Sequence, residues 1–135
     1  MWFYKGQPID EPPEGYLGFV YRIENTLTGK QYIGKKTFLF RKTKQVKGKR
    51  KKILVDSDWK TYYGSNKELI QDVEEFGEEH FYREILEYCK TKGEMSYLEL
   101  RYQIDERVLE KPDSYYNGWI TCKISRSHIK NLLQN

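Results

Sequence analysis

The clearest hydrophobic pattern in the chain is an alternation of apolar and other residues over 17–24. One face of this segment carries Leu17, Phe19, Tyr21 and Ile23. Turn-forming residues follow at 25–29, and a second short apolar segment lies at 30–34. Alternation with period two is typical of β-strands, and a short polar link between two such segments indicates that they pair. The pattern therefore predicts a β-hairpin.

Two later segments have apolar residues at helical spacing. The Ser-Asn-Lys-Glu sequence at 65–68 matches a capping box and precedes such a segment, which predicts a helix over 66–76. Thr91 opens a second capping-box match, and the helix that it begins is predicted to run to about Leu109. Between the two helices, residues 81–89 are rich in aromatic and β-branched types, which predicts a third strand.

The ends of the chain have weaker patterns. Residues 1–16 contain three of the four prolines and are predicted to form an irregular strap. Residues 125–133 are predicted to form a short helix within a C-terminal extension over 121–135. Because 135 residues is near the commonest domain size, we expect 1–135 to be a single domain.

Charge is distributed unevenly along the chain. Residues 41–52 contain eight of the 24 Lys and Arg residues and no acid, so the other 16 are outnumbered by 20 acidic residues. Short apolar segments at 37–40 and 53–55 flank this insertion and predict an extra hairpin with a charged tip. Such a segment is either a solvated loop or a surface that binds a polyanion, and the charge alone leaves both interpretations open.

Composition excludes several classes of protein. An apolar content of 38% with 16% aromatic residues excludes intrinsic disorder. No apolar run approaches the roughly 18 residues of a membrane span, and the first residues lack the apolar segment of a signal peptide, so we expect a cytoplasmic protein without membrane contact. Cys89, Cys122, His80 and His128 lack metal-ligand spacing, which argues against a zinc site.

Two short motifs lie on the predicted hairpin, Phe19-Val20-Tyr21 and Tyr32-Ile33-Gly34. Basic residues, a Glu in the second predicted helix and a Tyr-Asn pair follow in order. This ordered set over residues 17–117 resembles the GIY-YIG nuclease family, and most of all its stand-alone phage-type members, which carry a long basic insertion. Phe19 stands where the family usually has the first glycine of the motif, with Gly18 one place earlier.

The resemblance implies both a fold and an activity. The implied fold is α/β, with a small three-stranded antiparallel sheet flanked by helices and the basic segment inserted as a hairpin or loop. The implied activity is hydrolysis of DNA phosphodiester bonds with Mg²⁺ or Mn²⁺, leaving 5′-phosphate and 3′-hydroxyl ends. DNA would be bound mainly through its phosphate backbone, with weak sequence preference or with targeting by a protein partner, in the host cytoplasm if the protein is phage-encoded. The alternatives are a catalytically silent nucleic-acid-binding module of the same fold and a nuclease directed at RNA.

The resemblance also assigns roles to basic and phenolic residues. Tyr21 and Tyr32 match the two motif tyrosines, one of which is thought to help deprotonate the attacking water. Because a free phenol has a pKa near 10, a cation must stabilise the phenolate, and Lys35 matches a lysine that would do so. The family arginine usually lies ten residues after the second tyrosine, where this chain has Lys42. We assign the role to Arg41, since a guanidinium holds a phosphate through two parallel hydrogen bonds.

Two residues of the later segments complete the implied site. Glu99 matches the catalytic glutamate and would be the one protein ligand of the metal, while Glu106 shares its angular position two turns further along the predicted helix. Asn117 matches the terminal asparagine, although Asn-Gly is also an ordinary turn sequence. The remaining cations that we expect to bind nucleic acid are Lys36, Lys42, Lys44, Lys47, Lys49, Arg50, Lys51 and Lys52.

Overall fold

The computed structural model describes residues 1–121 and 123–133, apart from the side chains of Arg41, Lys42 and Lys44. The strands within this part of the chain are β1 (Trp2–Tyr4), β2 (Gln7–Ile9), β3 (Gly18–Asn25), β4 (Gln31–Thr37), β5 (Leu39–Val46), β6 (Lys49–Asp56) and β7 (Phe81–Cys89). The α-helices are α1 (Lys67–Phe76) and α2 (Lys92–Asp105). Five strands form one sheet in the order β2-β1-β7-β3-β4, and β5 pairs with β6 in a separate ribbon. No helix in the described ranges is long and apolar enough to cross a membrane.

The predicted hairpin is confirmed as β3 and β4. In its register Tyr21 lies opposite Gly34, and Ile23 lies opposite Tyr32. Strand β3 is an interior strand of the sheet, paired with β7 on one edge and with β4 on the other. Phe19, Tyr21 and Ile23 pack into a core on one face, and the intervening Val20 packs into a second core on the other. The third predicted strand, over 81–89, is confirmed as β7.

The prediction for the N-terminus was wrong, and the sheet has five strands rather than three. Residues expected to form an irregular strap contribute β1, which pairs with β7 in parallel, and β2, which pairs with β1. Pro8 is accommodated because β2 is an edge strand, where a missing N–H interrupts no central ladder. Trp2 is 1% exposed and donates a hydrogen bond from Nε1 to the carbonyl of Trp59 at 2.6 Å. Burial of this ring holds the N-terminal segment on the sheet.

Helix α1 forms where the sequence predicts it, with a small difference at its start. Asn66, rather than the preceding serine, is the N-cap, and its Oδ1 accepts from the backbone N–H of Leu69 at 3.0 Å. The helix ends at Gly77, whose φ of 93° lies in the region that favours glycine. Leu69 is fully buried against the core that contains Tyr21 and Trp2.

Helix α2 begins as predicted at the Thr91 cap and ends earlier than predicted, at Asp105 rather than Leu109. The reason is Arg107, which adopts the left-handed conformation (φ 55°, ψ 46°) and turns the chain so that Val108 is buried under the sheet. The segment predicted as a terminal helix forms a 3₁₀ helix, Arg126–Leu132, that packs against the start of α2.

The extra hairpin predicted around the basic insertion is confirmed as the ribbon of β5 and β6. Its tip is Lys47 and Gly48, both with positive φ (51° and 74°), as a two-residue hairpin turn requires. The described cations along the ribbon are exposed: Lys47, Lys49, Arg50, Lys51 and Lys52.

Candidate active site

A cavity of about 320 Å³ opens between β4, α2 and the start of α1. Four of the predicted catalytic residues line it: Tyr32, Lys35, Glu99 and Asn117. These residues are up to 85 positions apart in sequence, from Tyr32 to Asn117. The fold therefore brings most of the predicted set to one place.

The two motif tyrosines lie side by side on the hairpin, with ring centroids 6.2 Å apart. Tyr21 is 1% exposed, and its ring also packs against Trp2 and Tyr62. Its hydroxyl occupies the space above Gly34, where any Cβ would overlap it. The glycine that ends the second motif is thus needed to make room for the tyrosine that ends the first.

Burial keeps both phenols protonated in the free protein. Desolvation, followed by the neighbouring Tyr32 and Tyr62, raises the pKa of Tyr21 well above its usual value. Burial also raises the pKa of Tyr32, whose hydroxyl lies 3.4 Å from Ser65 Oγ. At neutral pH each hydroxyl is therefore a neutral hydrogen-bonding group.

Lys35 does not make the contact that we expected with a tyrosine. Its Nζ donates to Ser96 Oγ at 2.8 Å and lies 3.9 Å from Glu99 Oε1, so among the described residues its partners lie on α2. The positive charge is at the cavity wall, beside the carboxylate rather than beside a phenol. It is 40% exposed and accessible to an anion that enters the cavity.

Helix α2 presents a polar stripe to the cavity. Ser96, Glu99 and Gln103 follow at spacings of three and four residues, so they lie on one face of the helix. The Glu99 side chain is 18% exposed, and burial raises its pKa while Lys35 opposes that shift. In the described ranges Glu99 is the one acidic residue that lines this cavity.

Glu106 is engaged elsewhere. It forms an ion pair with Arg22 and accepts a hydrogen bond from the Tyr115 hydroxyl at 2.8 Å. The geometry thus favours Glu99 over Glu106 as the residue available to a ligand.

Asn117 is buried and both ends of its amide are used. Its Oδ1 accepts from the Ile33 backbone N–H at 3.1 Å, and its Nδ2 donates to the Ile33 carbonyl at 2.8 Å. Gln103 donates to the same carbonyl at 3.0 Å. Residues 116–120 form no turn, so the interpretation of Asn-Gly as an ordinary turn is wrong. Asn117 fastens the segment after α2 to the middle of β4.

The structure divides the predicted cations into different groups. Arg41 lies in β5 opposite Leu54, but its side chain, with those of Lys42 and Lys44, is outside the described part of the chain. The Lys36 side chain is 11% exposed, with Nζ 2.5 Å from Asp58 and 4.0 Å from the centroid of Tyr62. Alternation along β4 directs this side chain away from that of Lys35, and Asp58 is its partner within the protein. Its contact with nucleic acid stays a prediction.

Sequence reasoning missed several residues of the cavity. Asn66 donates to the carbonyl of Tyr116 at 2.9 Å and so ties the start of α1 to the segment after α2. Gln103 had a detectable signal, since it lies four residues after Glu99 on a predicted helix. Ser65 and Trp119 also line the cavity, and no local pattern indicated either of them.

One of the two thiols lies within the described part of the chain. Burial raises the pKa of Cys89 to about 12, so this thiol is inert, and Cys122 lies outside the described residues. Within the described ranges, no three His, Cys, Asp or Glu side chains are grouped as a metal site would need.

Comparison with protein families agrees with this geometry. The family model described as "Putative endonuclease segE, GIY-YIG domain" matches residues 2–120. Searches of curated proteins and of solved structures gave no match. The matched range contains the hairpin with its two tyrosines, helix α2 with Glu99, and Asn117. The chain therefore belongs to the GIY-YIG endonuclease family.

Proposed function

We propose that the protein is a metal-dependent DNA endonuclease that leaves 5′-phosphate and 3′-hydroxyl ends and has weak intrinsic sequence preference. The observation that carries this proposal is the convergence of Tyr32, Lys35 and Glu99 on one cavity, with Tyr21 directly behind Tyr32. Hydrolysis of a phosphodiester needs a polarised water and positive charge near the phosphate, and these groups supply both at neighbouring positions.

The donor set of the cavity suits a hard divalent cation. Glu99 supplies one carboxylate, and neither a thiol nor an imidazole lines the cavity in the described part of the chain. Mg²⁺ is held in many nucleotide sites by one or two carboxylates, with substrate phosphate and water as the other ligands. Glu99 would thus hold Mg²⁺ or Mn²⁺, and the ion would supply Lewis-acid stabilisation of the negative charge that develops on the phosphate.

The other residues of the site divide the remaining tasks. Lys35 draws the phosphate into the cavity and opposes the charge of Glu99 when the cavity is empty. A tyrosine hydroxyl orients the attacking water. It can accept a proton from that water only as the phenolate, and nearby cations are needed to lower the pKa of the phenol for this purpose. Arg41 is the proposed second clamp on the phosphate.

The motif irregularity does not argue for a silent binding module. Phe19 stands in place of the usual glycine, but its side chain is fully buried between Trp2, Phe38 and Trp59, away from the cavity. Gly18 is required for a different reason, since a Cβ there would overlap the sulfur of Met95 on α2. The departure from the motif therefore changes the core beneath the site and leaves the polar groups in position.

Incubation with supercoiled plasmid tests the proposal. We expect nicked or linear product with Mg²⁺ and none with excess chelator, and we expect DNA ligase to reseal the nicks because it requires a 5′-phosphate beside a 3′-hydroxyl. A parallel reaction with RNA of the same sequence tests the RNA alternative. Absence of cleavage under all metal conditions, or cleavage that persists in chelator, would contradict the proposal.

A further inference from the structure

Trp119 is unusual among the tryptophans of this chain. Trp2 and Trp59 are 1% and 2% exposed, whereas Trp119 is 76% exposed and lines the mouth of the catalytic cavity. Of the large apolar side chains in the described ranges, it is the most exposed. An exposed indole beside a polar cleft gains nothing for folding, and such positions are often binding surfaces.

The backbone on both sides of Trp119 is fixed. Two residues earlier, Asn117 is held to Ile33 by two hydrogen bonds of 3.1 and 2.8 Å. One residue later, Ile120 packs against the core under α2. The ring is therefore presented at a defined position rather than carried on a free segment.

The surroundings of the ring indicate what it would bind. Lys35 and Glu99 line the same cavity and are the groups to which we assign the phosphate and the metal. A flat aromatic surface beside a phosphate site fits a nucleobase, because every base has a face that can stack and each base lies next to its own phosphate.

We propose that Trp119 is a stacking platform for an unpaired base adjacent to the scissile phosphate. This proposal rests on the nuclease function in one respect, that the ligand of the cavity is a nucleic acid. A base inside a duplex has both faces covered by its neighbours, and its extrusion costs free energy, so stacking on Trp119 favours a base that is already unstacked. The preferred substrate is accordingly DNA with a single-stranded, gapped or branched segment at the cut rather than a continuous duplex.

The tryptophans themselves provide the measurement. In chelator, a single-stranded 16-mer should quench the fluorescence of the exposed tryptophan, whereas the matching blunt duplex should quench it far less. The buried Trp2 and Trp59 stay shielded, so Trp119→Phe should remove most of the quenching. A gel of the same samples verifies that the DNA is intact.

Affinities of variants complete the test. Trp119→Ala should weaken binding of the 16-mer by roughly 5- to 150-fold and binding of the duplex by less than about twofold. Trp119→Phe should recover much of the loss, since a phenyl ring also stacks. Tyr82→Ala is the matched control, because Tyr82 is also an exposed aromatic residue (37%) but lies outside the cavity. The affinity of this variant for the 16-mer should equal that of the wild type.

The outcomes separate this proposal from the proposed function. Quenching by the single strand, without cleavage of either the plasmid or a gapped DNA, would support the platform and contradict the nuclease. Cleavage by the wild type together with equal affinities of wild type and Trp119→Ala for the 16-mer would overturn the platform and leave the nuclease standing. An equal loss of affinity for both DNAs would also overturn it, since the ring would then contribute no selectivity for unstacked bases.

Discussion

The hydroxyl of Tyr21 lies within the protein and not on its surface. It is enclosed by Gly34 on the facing strand and by Gly64, where a Cβ would come 3.4 Å from the Tyr21 oxygen and where φ is 87°. Tyr32 lies between it and the cavity. The two phenols therefore differ in access, and a water molecule in the cavity meets Tyr32 first.

Substitution by phenylalanine distinguishes the two tyrosines, since each ring still packs and only the hydroxyl is lost. Because Tyr32 lines the cavity, we expect Tyr32→Phe to lower the cleavage rate by about 10²- to 10⁴-fold, the usual contribution of a general base, with little change in melting temperature. Tyr21→Phe should lower the rate less, since its hydroxyl is enclosed. Single-turnover plasmid nicking measures the rate. If Tyr21→Phe is slow and Tyr32→Phe is normal, the base is Tyr21, and normal rates in both would remove tyrosine from the mechanism.

Strand β1 supports the site through the core that also contains Tyr21. Trp2 touches the rings of Phe19 and Tyr21, and the guanidinium of Arg83 lies between Trp2 and Tyr63 at 4.7 and 4.3 Å. Arg83 also donates to the carbonyl of Tyr62 at 2.8 Å, next to the ring that packs on Tyr21. The N-terminal strand thus holds the segment that encloses the first tyrosine.

Removal of the Trp2 ring measures this support. Trp2→Ala should lower the free energy of unfolding by about 3–5 kcal/mol, since it leaves a cavity in the core and frees the Trp59 carbonyl. Urea denaturation followed by circular dichroism gives the value. Leu27→Ala, at an exposed hairpin turn, should change it by less than about 0.5 kcal/mol. A loss below about 1 kcal/mol for Trp2→Ala would mean that β1 contributes little to the stability of the sheet.

The ribbon of β5 and β6 presents charge on both of its faces. Along β6, alternation places Lys49 and Lys51 on one face and Arg50 and Lys52 on the other, all exposed. Such a two-stranded ribbon is narrow enough to enter a DNA groove between two phosphate backbones. We therefore propose that the ribbon binds the phosphate backbone of DNA rather than serving as a solvated loop.

Neutralisation of the ribbon should change affinity and not chemistry. With about half of the eight cations on phosphates, the slope of log affinity against log salt would be roughly −3 to −4 for the wild type. The ribbon variant replaces four lysines by Gln: Lys47, Lys49, Lys51 and Lys52. It should show a flatter slope and weaker binding to all DNA sequences alike. Its cleavage rate at saturating DNA should be close to that of the wild type. A control with the same charge change places Gln at four exposed lysines outside β5 and β6, namely Lys60, Lys67, Lys111 and Lys130. Equal slopes for wild type and ribbon variant would identify the segment as a solvated loop.

Over the whole molecule, the elements with a local sequence signal could be predicted, and contacts between residues distant in sequence could not. The hairpin, β7 and the starts of both helices follow from alternation and capping residues within a few positions. The pairing of Trp2 with Arg83 joins residues 81 positions apart, and the early end of α2 depends on burial of Val108, so neither had a local signal. The same holds for Lys36, whose partner Asp58 is brought to it by the ribbon's return.

The candidate site divides in the same way. The order of its residues was recognisable because the motif tyrosines, Glu99 and Asn117 occur in a fixed sequence. The structural role of Asn117 could not be recognised from the sequence, since its two hydrogen bonds to Ile33 exist only in the folded chain. The role of Trp119 could not be predicted for a similar reason, because the exposure of a side chain is a property of the fold.

Comparison of Glu99→Gln with Glu106→Gln tests the site most directly. Both substitutions remove one carboxylate charge and keep the shape, but only Glu99 lines the cavity, while Glu106 is bound to Arg22. We expect Glu99→Gln to lower Mg²⁺-dependent cleavage by about 100-fold or more while DNA binding is retained or strengthened, because a negative charge near the phosphate is removed. Glu106→Gln should cleave at close to the wild-type rate. Wild-type cleavage by Glu99→Gln, or its loss in Glu106→Gln alone, would contradict the assignment of the site.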